Sequence, residues 1–211
     1  MRSSKTDGRR ERGARSREAI VHRAAQLASL DGFGVLTIGR LATDLGMSKA
    51  GVHALFGSKE ALHLATIDAA FEVFKREVVD EALDREPGMQ RVEALCFGWL
   101  SYARRRIFPG GCFFHVASIE HDAKPGPVRD RLSAARRAWL QLYEKELETA
   151  KRLGQLRSHV EPRQLARHLD AVGMAADLDA LLLDDPRAFD DAEATLREVL
   201  RQARQSGSEA W

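Results

Sequence analysis

The sequence predicts an all-α fold, and three observations carry that expectation. Nowhere do apolar and polar residues alternate over the length of a strand. Apolar residues return instead every three or four positions in one segment after another, the spacing of a buried helix face. Between those segments stand glycine, proline, serine and aspartate, which stop or cap helices. Read this way, the chain holds about nine helices. A three-helix head at the N-terminus is joined by a long helix to a helical-bundle body.

Residues 1–15 are rich in Arg, Ser and Gly with almost nothing to bury, so a disordered basic arm is expected there. Ser16 starts the first packed helix, with Ile20, Ala24, Leu27 and Ala28 as its inner stripe and Gly32 as its stop. Thr37 then caps a short helix whose apolar face is Ile38, Leu41, Ala42 and Leu45. Gly46 sits where the chain must leave that helix in a left-handed conformation, and Ser48 caps the next one. In that third helix Val52, Leu55 and Phe56 point inward, which leaves Lys49, Ala50, Gly51, His53 and Ala54 outside. Small residues on an exposed helix face allow close approach to another surface, as a helix-turn-helix requires when it enters a major groove. An ordinary helical hairpin in a core is the plainer alternative.

Ser58 caps the following helix, and Lys59 stands in its first turn. A lysine there opposes the helix dipole unless an anion is nearby, and a phosphate would be such an anion. That helix is expected from Lys59 to Leu83, long enough to join head to body. The stripe Val92, Leu95, Cys96, Trp99 and Ala103 follows, ended by Phe108-Pro109-Gly110-Gly111. Cys112 to His121 reads as a short apolar helix. Pro127 opens a long one with Val128, Leu132, Ala135, Trp139, Leu142, Leu147 and Ala150 inward, closed by Gly154. Glu161-Pro162 opens the eighth, which runs to Leu183. Asp185-Pro186 opens the last, with Phe189, Ala192, Leu196, Val199 and Ala203 inward. The linear division expected is an arm over 1–15, a head over 16–62 and a body over 63–211.

Charge separates head from body. Of the 211 residues, the first 60 carry eleven basic and six acidic side chains, net +5, while the whole chain is only +2. A positive head on a mildly negative body suits a polyanionic partner for the head alone. Two cysteines, Cys96 and Cys112, make no disulfide framework and fit a reducing cytosol, so a cytoplasmic protein is expected. No apolar run reaches the roughly 18 residues of a membrane span. His22 and Arg23 interrupt the only candidate for a secretory core, so no signal peptide is expected.

The run from Ile20 to Leu62 resembles the tetracycline-repressor (TetR) family of bacterial transcription regulators. The residues that carry the likeness are Ala24-Ala25, Gly32, Thr37-Ile38, Leu41-Ala42, Leu45-Gly46-Met47-Ser48, Gly51, Phe56 and Ser58-Lys59-Glu60-Ala61-Leu62. Beyond it the chain is similar in layout, and Gly110-Gly111-Cys112-Phe113-Phe114 looks like one branch of the family. His53 is a departure, standing where most members place a tyrosine that touches a phosphate. The pair before Phe56 is Ala54-Leu55 rather than an aromatic with a histidine.

The resemblance implies a homodimer whose two heads cover a near-palindromic double-stranded DNA operator, with half-sites about one helical turn or a multiple apart. On the residues that match, DNA contact falls to Thr37, Ser48, Lys49, Ala50, Gly51, His53 and Lys59. The dimer seam is implied in the last two helices, at Ala171, Gly173, Ala176, Ala180, Leu196 and Val199. The small residues among them would let helices pack closely, and in a monomer they would be plain core. The family usually encloses a small-molecule effector in the body, for which Trp99, Phe114, His115, Trp139, Tyr143 and Met174 offer bulky walls with polar handles. No cofactor and no metal is expected.

Three functions compete on the sequence. The first is a repressor released from its operator by an effector. The second is a DNA-binding dimer with a filled core, controlled by abundance or by a protein partner. The third, an enzyme using Cys112, His115 and His121, lacks a nucleophile, base and orienter at a recognisable spacing.

Overall fold

The computed structural model describes the backbone of residues 3–205, and the side chains of residue 8 and of residues 10–205. Among these residues the fold is helical throughout, with nine helices: α1 Ser3–Asp31, α2 Ile38–Asp44, α3 Lys49–Phe56, α4 from Lys59, α5 Met89–Arg104, α6 Phe113–His121, α7 Pro127–Arg152, α8 Pro162–Leu182 and α9 Ala188–Ala203. Extended pairing among them amounts to an isolated antiparallel bridge between Leu156 and Arg204.

The N-terminal arm is helical rather than irregular from Ser3 onward, as the first turns of α1; Met1 and Arg2 lie outside the described residues. Arginine, glutamate and alanine between Arg9 and Glu18 are favourable helix formers and extend the packed helix backwards. Of residues 10–19, Gly13 and Ser16 are half-buried and the rest exposed, so before Ile20 these turns have little tertiary packing beyond the Arg17 guanidinium over the Phe56 ring.

The chain forms two compact units, and their division does not follow a cut after residue 62. The first unit comprises Met1–Glu72 together with Phe108–Ser133; the second comprises Val73–Ile107 and Ala134–Trp211. The physical reason is the packing of the 108–133 segment on α1. Gly110 approaches the last turn of α1 so closely that a Cβ would stand 1.8 Å from the Ser29 carbonyl oxygen, which only glycine permits. The Gly110 amide donates to Ser29 Oγ at 3.2 Å, and the Phe33 amide donates to Glu120 Oε2. Phe33 is the hub: its ring meets His63 at 4.7 Å, His121 at 5.4 Å and Phe113 at 5.7 Å between centroids. Ile20, Ala24, Leu36, Leu41, Val52 and Leu62 complete this core.

In the second unit α5, most of α7, α8 and α9 enclose a separate core, and α8 and α9 form a helical hairpin. Three ring pairs run through it edge to face: Tyr102 with Phe74 at 5.4 Å, Phe74 with Trp139 at 5.1 Å, and Trp139 with Tyr143 at 4.7 Å. Two helical stripes depart from expectation at a single neighbouring pair each. Tyr143 is buried where Leu142 is only half-buried, and Leu200 is buried where Val199 is half-buried. Glu146 is carried inward with Tyr143, and its carboxylate accepts from the Gly88 amide at 3.1 Å and pairs with Arg91 at 3.4 Å.

The long α4 is continuous in backbone but not uniform. It is α-helical from Lys59 to Phe74, widens into a π-helical turn over Lys75–Asp80, and ends as Glu81–Leu83. The Lys75 ammonium reaches the Asp80 carboxylate at 2.7 Å, an ion pair that spans the wide turn. Gly98 of α5 lies against Val78 at this point.

Candidate nucleic-acid interface and a cleft in the second unit

The corner between α2 and α3 is built from local hydrogen bonds. Thr37 Oγ1 accepts from the Arg40 amide at 3.1 Å, and Ser48 Oγ accepts from the Gly51 amide at 3.0 Å, so each hydroxyl satisfies an amide that its helix leaves open. Gly46 has φ +62. Its amide donates to the Thr43 carbonyl at 3.2 Å, while the Met47 amide donates to the Ala42 carbonyl at 2.8 Å. This pair of bonds closes a helix only when the residue after its end is left-handed, which a side chain would resist.

With the corner fixed, α3 divides as its sequence dictates. Val52 is 0% exposed and Phe56 is buried, with the Arg17 guanidinium of α1 lying 5.1 Å over the Phe56 ring. Lys49, Ala50, His53 and Ala54 are exposed, and Gly51 is half-buried beneath Ser48 Oγ. Thr37, Ser48 and Lys59 are exposed as well, so every residue proposed for DNA contact is accessible except the partly covered glycine.

Gly39 is a position the sequence reading passed over. A Cβ there would come within 3.3 Å of Lys49 Cε, so its absence lets the lysine stem lie across α2. A glycine inside a helix of good formers is the signal that could have found it.

Charge on this face is one-sided. Arg23 pairs with Asp44 at 3.0 Å and Arg40 with Asp31 at 2.7 Å, which matches two of the head's acids internally. Among the described residues Lys49 and Lys59 form no ion pair; Lys59 Nζ meets only the Gly34 carbonyl, at 3.5 Å. Ser58 Oγ caps α4 by accepting from the Ala61 amide at 3.0 Å, and Ser58, Lys59 and Glu60 are all exposed. The result is a capped helix start carrying a cation beside a bare helix face, an arrangement suited to phosphate oxygens and base edges.

In the second unit Trp99, Trp139 and Tyr143 come together around a cleft also lined by Cys96, Leu169, Asp170, Gly173 and Leu196. As it stands, the cleft holds about one water molecule. The Tyr143 hydroxyl donates to Cys96 Sγ at 3.5 Å, and burial pushes the Cys96 thiol up to about 12 and raises the Tyr143 phenol, so both stay neutral. Asp170 accepts from the Trp139 indole N–H at 2.9 Å and is paired bidentately with Arg136, whose Nη2 also touches Met174 Sδ at 3.4 Å. Asp170 and Arg136 were not anticipated. The signal for Asp170 was a carboxylate one turn after buried Ala166 on an otherwise apolar stripe.

Phe114 and His115 do not line this cleft. Both sit on α6 in the first unit, where Phe114 packs edge-on against Phe113 at 5.3 Å. Their segment packs on α1, within the first unit. Cys112 immediately precedes the same helix and is buried, and His121 lies with Nδ1 3.1 Å from the Ala117 carbonyl oxygen.

The residues expected at a dimer seam also divide. Gly173, Ala176 and Leu196 are buried within the second unit. A Cβ on Gly173 would come within 2.9 Å of the Trp99 ring, so this glycine makes room for an indole inside the chain. Ala171 is exposed, and Ala180 and Val199 are half-buried. The outward face of α8 is instead Ala171, Ala175, Leu178 and Leu182, the last two 55% and 71% exposed. Their spacing makes one continuous apolar stripe. No helix among the described residues is long and apolar enough to cross a membrane.

The profile described as bacterial regulatory proteins, tetR family, matches residues 20–66, and the tetracyclin repressor-like C-terminal domain matches residues 88–196. No curated protein matches the sequence significantly. Among solved structures, a TetR transcriptional regulator from Chloroflexus aurantiacus is 26% identical, with a TM-score of 0.85 over 93% of this chain and all of that one. A TetR-family regulator from Streptomyces coelicolor is 22% identical, with a TM-score of 0.75 over 90% of this chain and 96% of its own. AibR, solved with isovaleryl coenzyme A and operator DNA, is 18% identical, with a TM-score of 0.71 over 89% of this chain and 98% of its own.

Proposed function

This chain belongs to the tetracycline-repressor family of bacterial regulators, DNA-binding proteins rather than enzymes, and from that premise we propose that it acts as a homodimeric repressor released from its operator by a small-molecule effector. The observation that carries the reading is the α3 face. Ser48, Lys49, Ala50 and His53 stand exposed at the start of a capped helix, and the small side chains at Ala50, Gly51 and Ala54 leave its backbone open to a groove. Lys59 and the amides at the start of α4 take a phosphate, and Thr37 flanks them. His53 donates to the backbone where relatives use a tyrosine. Two heads related by a two-fold axis read two half-sites, so the operator is near-palindromic.

Dimerisation through α8 and α9 covers the stripe of Ala171, Ala175, Leu178 and Leu182, apolar surface that would otherwise face water. Effector control is supported by the cleft around Trp99, Trp139 and Tyr143, and AibR offers a precedent in a protein of the same fold. An effector that prefers one arrangement of the second unit shifts operator affinity by its differential affinity, with α4 as the shared element.

The small size of the closed cleft favours a second reading, a DNA-binding dimer with a filled core controlled by abundance or by a protein partner. A Trp139 fluorescence titration against a broad effector panel separates them: saturable change supports the first reading, and silence supports the second. The DNA reading is tested by selecting bound fragments from random duplexes and footprinting the winners. The expected result is two inverted half-sites protected on one face of the duplex. Recovery of no consensus, or of a single asymmetric site bound by one chain, overturns it.

A further inference from the structure

The lining of the second-unit cleft carries one charged side chain, the Asp170 carboxylate; the rest of it is two indoles, a phenol, a thiol and aliphatic groups. Arg136 currently satisfies that carboxylate, with Nη1 donating to Oδ1 at 2.7 Å and Nη2 donating to Oδ2. The two partners are held very differently. The Asp170 side chain is 7% exposed and is fixed a second time by the Trp139 indole N–H; Arg136, which also touches Met174 Sδ, is 40% exposed and lies outside the cleft lining. An arginine on a flexible stem can swing into water and recover its hydration, but the carboxylate has nowhere to go. The cleft is therefore a fixed anion among aromatic rings, covered by a displaceable cation.

We propose that this cleft binds an organic cation with a flat or bulky apolar body, whose charge replaces the Arg136 guanidinium on Asp170 and whose body lies among Trp99, Trp139 and Tyr143. The inference deepens the effector reading above and rests on it for its regulatory meaning. A neutral ligand in place of Arg136 would leave the buried Asp170 carboxylate without a counter-charge. Charge decides against an anion, which would face Asp170 in a site where water cannot screen the repulsion. A cation restores that counter-charge when Arg136 leaves, and ring faces attract it once it is desolvated. Opening the site also moves Trp139, which is half-buried and edge-on to Phe74. Phe74 is the last residue before the π-helical turn of α4, so occupancy reaches α4 where its hydrogen bonding is already irregular.

Tetraphenylphosphonium and tetraphenylborate, nearly identical in shape and opposite in charge, provide the test. Titrated into the full-length protein and followed by tryptophan fluorescence and calorimetry, the phosphonium should bind one per chain and at least about tenfold tighter than the borate. Arg136→Gln removes the competing cation and should tighten phosphonium binding by about tenfold, while Asp170→Asn should weaken it by at least as much. Circular dichroism checks that both variants fold, and Arg136→Gln together with the wild-type charge preference decides the matter if Asp170→Asn does not. Borate binding as well as the phosphonium, or Arg136→Gln leaving phosphonium affinity unchanged or weaker, overturns the proposal. Binding as expected with no change in operator affinity upholds the cation site and removes the effector reading. Operator release by some other small molecule, with neither probe bound, upholds the effector reading and removes the cation site.

Discussion

Replacing Lys59 with alanine removes one positive charge from the exposed first turn of α4, and its effects on folding and on DNA binding should separate cleanly. The ammonium meets only the Gly34 carbonyl, at 3.5 Å, and has no acidic partner among the described residues. Loss of such a contact from the surface costs within about 0.5 kcal/mol. Relief of the unfavourable dipole interaction offsets it by roughly 0.3–1 kcal/mol, so Lys59→Ala should melt at or slightly above the wild-type temperature. On DNA the same charge releases a counterion. Each neutralised phosphate contributes a slope of about −0.9 to log K against log salt, so a dimer losing two such contacts becomes shallower by about 1.8. Between roughly 50 and 200 mM salt, the affinity gap between wild type and variant should therefore shrink by about tenfold. Fluorescence anisotropy with the selected operator and a scrambled duplex, across a salt series, reads both quantities. Parallel salt dependences would refute the phosphate contact. A loss confined to the operator would instead place Lys59 on a base edge.

Four further substitutions probe other contacts of the fold. Ala50→Gln should change the bases preferred at the half-site without abolishing binding, and an unaltered selected consensus would remove Ala50 from the reading face. Leu178→Asp places a charge on the exposed α8 stripe and should leave a folded monomer by sedimentation, whereas a persistent dimer would put the seam elsewhere. Burial lowers the His63 imidazole from 6.5 to about 4, so the folded chain refuses a proton that the unfolded chain accepts. Stability is then complete above pH 6.5 and falls by up to ~3 kcal/mol as pH drops toward 4; urea titrations should show this slope flattened in His63→Gln. Gly173→Ala drives a methyl to 2.9 Å from the Trp99 ring and should cost ~1–3 kcal/mol in thermal melts, with unchanged stability showing that the indole yields freely.

The parts of the fold legible in the sequence are those fixed by near neighbours. Thr37, Ser48 and Ser58 cap amides three residues ahead, and α2 is closed by the Gly46 amide bonding three residues back and the Met47 amide five back. A short window of sequence contains every atom in those interactions, so the reading unit could be placed and its outward face named. Features set by distant partners were not legible. The pairing of Gly110 with Ser29 joins residues 81 apart, and nothing in the local pattern around Phe114 and His115 reveals that their segment returns to α1. Tyr143 replaces Leu142 on the inner face because helix phase answers to the neighbouring helices, not to the apolar count of one segment. Asp170 and Glu146 escaped notice since a charged letter reads as solvent-facing until its partners, Arg136 with Trp139 and Arg91 with Gly88, are known. The widened turn at Lys75–Asp80 leaves no mark on composition at all.

The seating of Gly110 on the end of α1 has a practical consequence for shuffling pieces between regulators. A graft that carries only the leading 72 residues onto a foreign trunk would strip Phe33 of Phe113 and His121, and its amide of Glu120. Transplanted specificity here calls for two cassettes taken from one donor, the leading stretch and residues 108–133, with the intervening strand of sequence free to come from the recipient.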